Sequence, residues 1–415
     1  MPRALAAGAV IGSTIAMADA HSLATEPNPF PKSVVDIYES EVPAILKSFS
    51  VFLGEDNLKR RIETAEKMFT RASRIYREYF VRRKQFLWIG AHQIRHLVQA
   101  KKFRQKFVTP SMAVALHYIA SIRNVVHTMP SWKKNDFRSR LTDKNGSDLP
   151  ALIEIAAASR IVTLGGKIRW IPEQERGKRV FDILASYQGI EFEVECKAKT
   201  VDAGRKFSRG ALYQFADRIL TSEIVMNCKQ PLLVSMTMDG RFPVDHQHQN
   251  ALVRILEGLI EGGGTKEAGP GCDVSVETLT AEELERRARM ELDEFEHRLA
   301  IRGLVVSFRS RKSDQMIANI EADLRDALKQ FSGNRPAVIV CYVPEIDSFA
   351  GVEKPGTETY ALVHRFLTRE DAQNIVSLTF ASDPIIDFRP GEIDTGLPSV
   401  RFVAQKFRGS HLEKF

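Results

Sequence analysis

The stretch that most constrains this chain is 180–200, V-F-D-I-L-A-S-Y-Q-G-I-E-F-E-V-E-C-K-A-K-T. Two β-rich runs flank Gln188-Gly189, and a glycine-containing pair between such runs specifies a two-residue hairpin turn. Tyr187 then faces Ile190, and the same register sets Asp182 opposite Glu195. Directly opposed residues have Cβ atoms about 5 Å apart, where like charges repel. On the second strand Glu191, Glu193, Glu195, Lys197 and Lys199 share one face, and Phe192, Val194, Cys196 and Ala198 share the other. Two carboxylates and an ammonium thus converge on one patch, backed by an apolar face suited to a core. A divalent cation is the counter-charge such a patch calls for. Glu191 and Glu193 are expected to lie on an ordinary solvated strand face.

The flanking elements have a definite order. Residues 142–150 (T-D-K-N-G-S-D-L-P) form a loop in which Ser147 or Asp148 can cap a helix that Pro150 helps to start. That helix runs to about Leu164 and stops at Gly165-Gly166. Glu154 shares its face with Ala151, Ala158 and Ile161, at helical spacing. A strand is expected at 167–171, and after the hairpin a helix at 205–220 buries Leu212, Phe215, Ala216 and Ile219. Gln214 points elsewhere on that helix, beside Arg218. A short apolar strand at 232–237 follows, so the order over 148–238 is α-β-β-β-α-β.

Asp182 followed thirteen residues later by Glu195-Cys196-Lys197 resembles the D…(D/E)-x-K signature of the PD-(D/E)XK nuclease superfamily, with Phe181 standing where the family name has proline. The resemblance covers less than a quarter of the chain. It implies a restriction-endonuclease-like mixed sheet within an α/β protein. It also implies a nuclease that hydrolyses phosphodiester bonds with Mg²⁺ (Mn²⁺ is the alternative), DNA being favoured over RNA as substrate. By the same resemblance Asp182 and Glu195 hold the metal with the backbone carbonyl of Cys196, and Glu154 on the preceding helix ligates or orients. Lys197 positions the nucleophile or stabilises developing charge, and Gln214 matches a glutamine found on the helix after the hairpin in several branches of the family. A protein that keeps the fold and binds nucleic acid without cleaving it is the alternative, because fold fixes activity poorly.

The rest of the chain frames this core. Its 415 residues suffice for two or three domains, and 44% apolar with 27% charged residues is ordinary for a globular protein. Cys196, Cys228, Cys272 and Cys341 show no C-x-x-C or framework spacing, which favours free thiols in a reducing compartment. The net charge of +7 is unevenly spread: residues 58–107 hold fifteen Lys/Arg against three Glu, so the remainder is mildly acidic. Arg60, Lys67, Arg71 and Arg74 repeat at helical spacing on one face and are the candidates for phosphate contact, against the bland reading of a solvated helix face.

Four segments follow: a leader and linker over 1–33, a basic helical domain over 34–145, the nuclease-like core over 147–240, and an α/β extension over 241–415 that either continues the same sheet or forms its own domain. Within the extension, helices are expected at 250–261, 280–299 and 313–330. Strands are expected at 304–308, 337–343, 360–366, 376–380 and 400–403. The run 4–18 with its A-x-A sites imitates a secretory signal but is rich in Ala and Gly, so a leader on a cytoplasmic protein is preferred over export. No apolar run of about 18 residues exists elsewhere, so no membrane partner is expected. A dimer is compatible with all of this. His92 and His96 sit one helical turn apart, but Gln93 occupies the position where a zinc protease carries its glutamate, and they are read as surface residues.

Overall fold

The computed structural model describes residues 35–71, 86–104, 108–142, 148–172, 181–199, 207, 209–243, 245–269, 271–289, 296–301, 303–311, 315–343, 355–382, 385–389, 392–396 and 399–415. The expected leader and Arg74 lie outside these residues, as does the side chain of Arg71. Two bodies are distinguished by their contacts. One comprises Ala18–Arg71, Phe80–Val201 and Asn319–Phe415, and the other has its described part within Asp202–Ala318.

Along the chain the first body opens with β1 (Val35–Tyr38), α1 (Val42–Leu53), α2 (Glu55–Arg71), α3 (Phe86–Gln99), α4 (Pro110–Val125) and α5 (Ser131–Thr142). The expected all-helical domain therefore begins with a strand. Its helices form where apolar residues recur at helical spacing and caps are present. Thr109 accepts from the Met112 amide ahead of α4, and Phe49, Trp88, Tyr118 and Phe137 are buried in one core. The same core continues under α6 (Leu149–Thr163), whose Ala151, Ile155 and Ala158 are fully covered or nearly so. Gly165 takes the left-handed conformation (φ 85°) that ends this helix, and the Gly166 amide donates back to Ile161.

Next come β2 (Lys167–Trp170), β3 (Ile183–Tyr187) and β4 (Ile190–Ala198). The chain then enters the second body with α7 (Arg209–Thr221), α8 (Glu223–Asn227), β5 (Leu232–Met238), α9 (His246–Gly262), β6 (Lys266–Gly269), β7 (Cys272–Thr278), α10 (Ala281–Arg289), β8 (Glu296–Ile301) and β9 (Leu304–Ser310). The first body resumes with α11 (Met316–Gln330), β10 (Ala337–Tyr342), α12 (Glu358–Leu367), β11 (Ile375–Ala381), β12 (Ile385–Arg389), β13 (Glu392–Gly396) and β14 (Ser399–Val403).

The main sheet of the first body has six strands in the order β14-β11-β10-β4-β3-β2. β2, β3 and β4 are antiparallel neighbours, whereas β10 runs parallel to both β4 and β11. A separate three-stranded sheet, β1-β13-β12, joins residues from the two ends of this body. In the second body five strands lie in the order β6-β7-β5-β9-β8, with β5 and β9 parallel. Its core is built on Phe215, Phe242 and Phe308, whose rings meet edge to face.

The protein is thus mixed α/β, but several segments depart from their expected places. The strand expected to complete the core over 147–240 is β5, and it lies in the five-stranded sheet with α7 packed in the same second body. The partner of β4 is β10 instead, so the extension over 241–415 does continue the hairpin's sheet, through β10, β11 and β14. The expected βαβ unit of 304–343 is divided, since β9 and β10 belong to different sheets. Residues 280–299 hold a shorter helix and then the strand β8, and 360–366 is helical. That last helix is started by Thr357, whose side chain accepts from the Tyr360 amide. Among the described residues no helix is long and apolar enough to cross a membrane.

Candidate active site

Gln188 (φ 50°) and Gly189 (φ 82°) both take positive φ, the requirement of a type I′ turn, and Tyr187 pairs with Ile190. The register runs unbroken to Ile183 opposite Val194, and the Asp182 amide donates to the Val194 carbonyl at 3.1 Å. Asp182 therefore enters the hairpin opposite Glu195. Its Oδ2 accepts from the Cys196 amide at 2.8 Å, which fixes the carboxyl over the start of the charged face.

Three carboxyl groups act on one another here. Burial pushes Asp182 well above the ordinary carboxylate range, and repulsion from Glu154 and then Glu195 pushes it further. The Cys196 thiol is raised too, by burial and then by Asp182 and Glu154, so it stays protonated at neutral pH. Glu154 is buried on α6 and is gripped at both oxygens. Lys133 Nζ donates to Oε2 at 2.9 Å and Arg140 Nη2 to Oε1 at 2.6 Å. Arg140 keeps its charge although burial opposes it, because Glu154 and Asp136 outweigh that cost.

Lys133 was not singled out by sequence, yet it is 1% exposed. Its ammonium lies 4.2 Å from the Phe137 ring centroid and 5.4 Å from that of Trp170, and it also donates to Asp136 at 3.1 Å. The signal was the helical spacing of Lys133, Phe137 and Arg140 in S-W-K-K-N-D-F-R-S-R, which sets two cations and an aromatic ring on one face of α5.

On β4, Glu195 is 4% exposed and its Oε1 pairs with Lys197 Nζ at 2.9 Å. Lys197 also donates to Gln330 Oε1 at 3.1 Å, and Lys199 pairs with Asp323 at 2.6 Å. Both partners come from α11. Gln214 is on α7 of the second body. Within the first body the glutamine that Lys197 meets is Gln330. Glu193 departs from its expected place, being fully buried where a solvated residue was expected. The Ser332 amide donates to it at 2.8 Å and Arg335 at 3.4 Å. Glu191 does stay at the surface, paired with Arg335 at 3.2 Å.

Asp182 and Glu195 supply the hard oxygen donors that Mg²⁺ takes, and Mg²⁺ is commonly held through one or two carboxylates while keeping several waters. Those two residues fit a divalent cation. Glu154 does not present a donor, since both its oxygens are held by cations. Among the described residues no three His, Cys, Asp or Glu side chains are grouped as a ready cage for a metal ion. His92 is not in such a group, and lies 4.0 Å from Glu66.

On the basic helix α2, Lys67 is exposed, Arg60 donates to Asn57 at 2.7 Å, and Glu55 on the same helix pairs with Arg95 at 2.6 Å. Comparison of the chain with protein-family models, with curated proteins and with solved structures finds no match.

Proposed function

We propose that the protein is a metal-dependent nuclease with a PD-(D/E)XK-like core built from α6, β2, β3, β4, α11 and β10, the second body being inserted between β4 and α11. The observation that carries the reading is the opposition of Asp182 and Glu195 across a hairpin, with Lys197 beside Glu195, in an α-β-β-β-α-β order whose last strand is parallel to β4. A conflict of buried carboxyl groups beside a positioned lysine is the mark of a working site more than of a structural one. Mg²⁺ (or Mn²⁺) at Asp182 and Glu195 would neutralise phosphate charge and make water a stronger nucleophile.

The chain's own groups divide the remaining work. The Cys196 amide orients the Asp182 carboxyl, and Lys133 and Arg140 fix Glu154, which presses on Asp182 electrostatically and disfavours its ionisation until a cation offsets it. Lys197, steadied by Gln330, can donate to a non-bridging phosphate oxygen as charge develops. Arg60 and Lys67 offer cationic contacts for a nucleic-acid backbone, DNA being the favoured substrate.

One observation favours a second reading. Each site carboxylate already has a partner within the chain, Glu154 doubly so, which suits a non-catalytic nucleic-acid-binding protein that retains the fold. Incubation with plasmid, linear and single-stranded substrates, with Mg²⁺ and with EDTA, decides between them. Cleavage that requires the metal upholds the nuclease. Tight binding without cleavage, unchanged by metal, upholds the binding protein, and cleavage that survives EDTA removes both.

A further inference from the structure

Helix α5 carries an aromatic ring and a cation at the surface beside the proposed site. Trp132, Asp136 and Arg140 recur every four residues along one side of it, with Lys133 and Phe137 turned into the core next to them. Trp132 is 38% exposed, whereas the chain's other two tryptophans, Trp88 and Trp170, are buried. Arg140 is half-buried, its Nη2 donating to Glu154 at 2.6 Å and its Nη1 to Asp136 at 3.4 Å. A guanidinium has five N–H donors, so Arg140 keeps donors for a ligand that arrives from solvent.

The ring and the cation are held close together. Asp136 Oδ2 accepts from Arg140 and also from Lys133 at 3.1 Å, and the Lys133 ammonium lies 5.9 Å from the Trp132 ring centroid. Arg140 reaches back one turn to Asp136, which leaves its guanidinium about 6 Å of helix rise from Trp132. That is the scale on which one nucleotide separates its base from its phosphate. The same ammonium lies 5.4 Å from the Trp170 ring centroid, and Trp170 pairs with Ile183, the residue after Asp182. Trp132 and Arg140 therefore stand at the edge of the carboxyl cluster.

We infer that Trp132 and Arg140 bind one unpaired nucleotide of a nucleic-acid strand, the indole stacking on its base and the guanidinium holding its phosphate. The inference rests on the reading that the chain engages nucleic acid, whether or not it cleaves it. An indole stacks on any base, and a guanidinium fork matches the oxygens of a phosphate, so the site takes single strands and frayed ends of any sequence. Asp136 works against it, since its carboxylate competes with phosphate for Arg140.

The test uses the full chain in EDTA, where metal-dependent cleavage is silent. A labelled single-stranded oligonucleotide is titrated by anisotropy over a range of salt. Trp132→Ala should weaken binding about tenfold and leave the salt dependence unchanged, and Trp132→Phe should recover most of the loss. Arg140→Gln should weaken binding about tenfold and lower the salt slope by about 0.7, the share of one phosphate contact, and Arg140→Lys should restore the slope. Asp136→Asn should bind a few-fold tighter than wild type, which a purely structural role for this side of α5 would not produce. Because Trp132 is the exposed tryptophan, bound oligonucleotide should also shield the wild-type emission from acrylamide. Wild-type affinity in Trp132→Ala, quenching that the oligonucleotide leaves unchanged, or Asp136→Asn binding no tighter overturns the site. The last two variants alter exposed or half-exposed side chains, so they decide the matter even if Arg140→Gln fails to fold. Oligonucleotide binding that none of these variants changes removes this site and leaves the reading of a nucleic-acid protein standing. No binding by wild type, with or without Mg²⁺, removes that reading and the site with it.

Discussion

Glu193 and Glu195 stand two residues apart on β4, both buried, and the chain treats them differently. Around Glu193 it supplies a backbone amide from Ser332 and a guanidinium from Arg335, two donors for one carboxylate. Around Glu195 it sets Lys197 on one oxygen and brings up Asp182, which is itself pressed by Glu154. A buried charge matched by donors ties elements together. A buried charge left against other charges of its own sign keeps electrostatic strain that a ligand can release.

The largest expected effect separates these two kinds of carboxylate. Asp182→Asn or Glu195→Gln should lower metal-dependent cleavage on the order of a thousandfold or more, as loss of a metal-holding and charge-stabilising group does. For Asp182→Asn the metal-free protein should also melt higher. The Asp182 carboxyl is held above its unfolded value, so its ionised form weakens the fold at neutral pH. If Glu193→Gln, matched for folding by circular dichroism, lost activity as completely, the contrast would be broken.

Removing the buried cation behind the site comes next. Lys133→Met should cost about 3–5 kcal/mol, because it strands Glu154 without one of its two partners. Adding Glu154→Leu should recover part of that loss in a double-mutant cycle followed by urea unfolding. Glu193→Gln should cost about 2 kcal/mol by the same measurement, since two donors keep a weaker acceptor. If it cost nothing, Glu193 would not be the structural member of the pair.

Asp148 gives a case between the two. Burial raises its carboxyl to about 6, against the pull of Arg61. A folded value above the unfolded one means that its contribution is fully present below about pH 4, is lost as pH climbs to about 6, and changes no further above that. Urea unfolding of the wild type should therefore show a fall of about 2 kcal/mol between pH 4 and pH 7 from this group, and Asp148→Asn should flatten it. The smallest effect belongs to Glu191→Ala. Its exposed pairing with Arg335 should be worth less than about 0.5 kcal/mol, with cleavage unchanged.

What could be read in the sequence was local. The turn at Gln188-Gly189, the register that opposes Asp182 to Glu195, and the stop of α6 at Gly165 depend on residues within a few positions of one another. The identity of the fourth core strand was not local. Residues 232–238 and 337–342 are both short apolar runs that follow an amphipathic helix carrying a glutamine, and periodicity cannot say which run pairs with β4. That choice is made by the whole of the second body closing on itself. Gln214 is the glutamine that chain order alone points to, because its helix is the first after the hairpin. Residues 360–366 misled because Tyr, Leu, Val and Phe favour strands, while the Thr357 cap that selects a helix lies outside the run. Glu193 reads as a solvated residue in sequence because its partners Ser332 and Arg335 are remote along the chain.

The insertion between β4 and α11 also sets a timetable. Lys197 and Gln330 are 133 residues apart in the chain yet share a hydrogen bond. During synthesis at about 5–20 residues per second, the hairpin would leave the ribosome on the order of ten seconds before the helix that steadies its lysine. Through that interval β4 is an edge strand with no β10 beside it, and the intervening residues can fold first because their own sheet is drawn from their own sequence. The proposed site is therefore incomplete until the chain has been made as far as Gln330, long after the hairpin that carries its carboxylates.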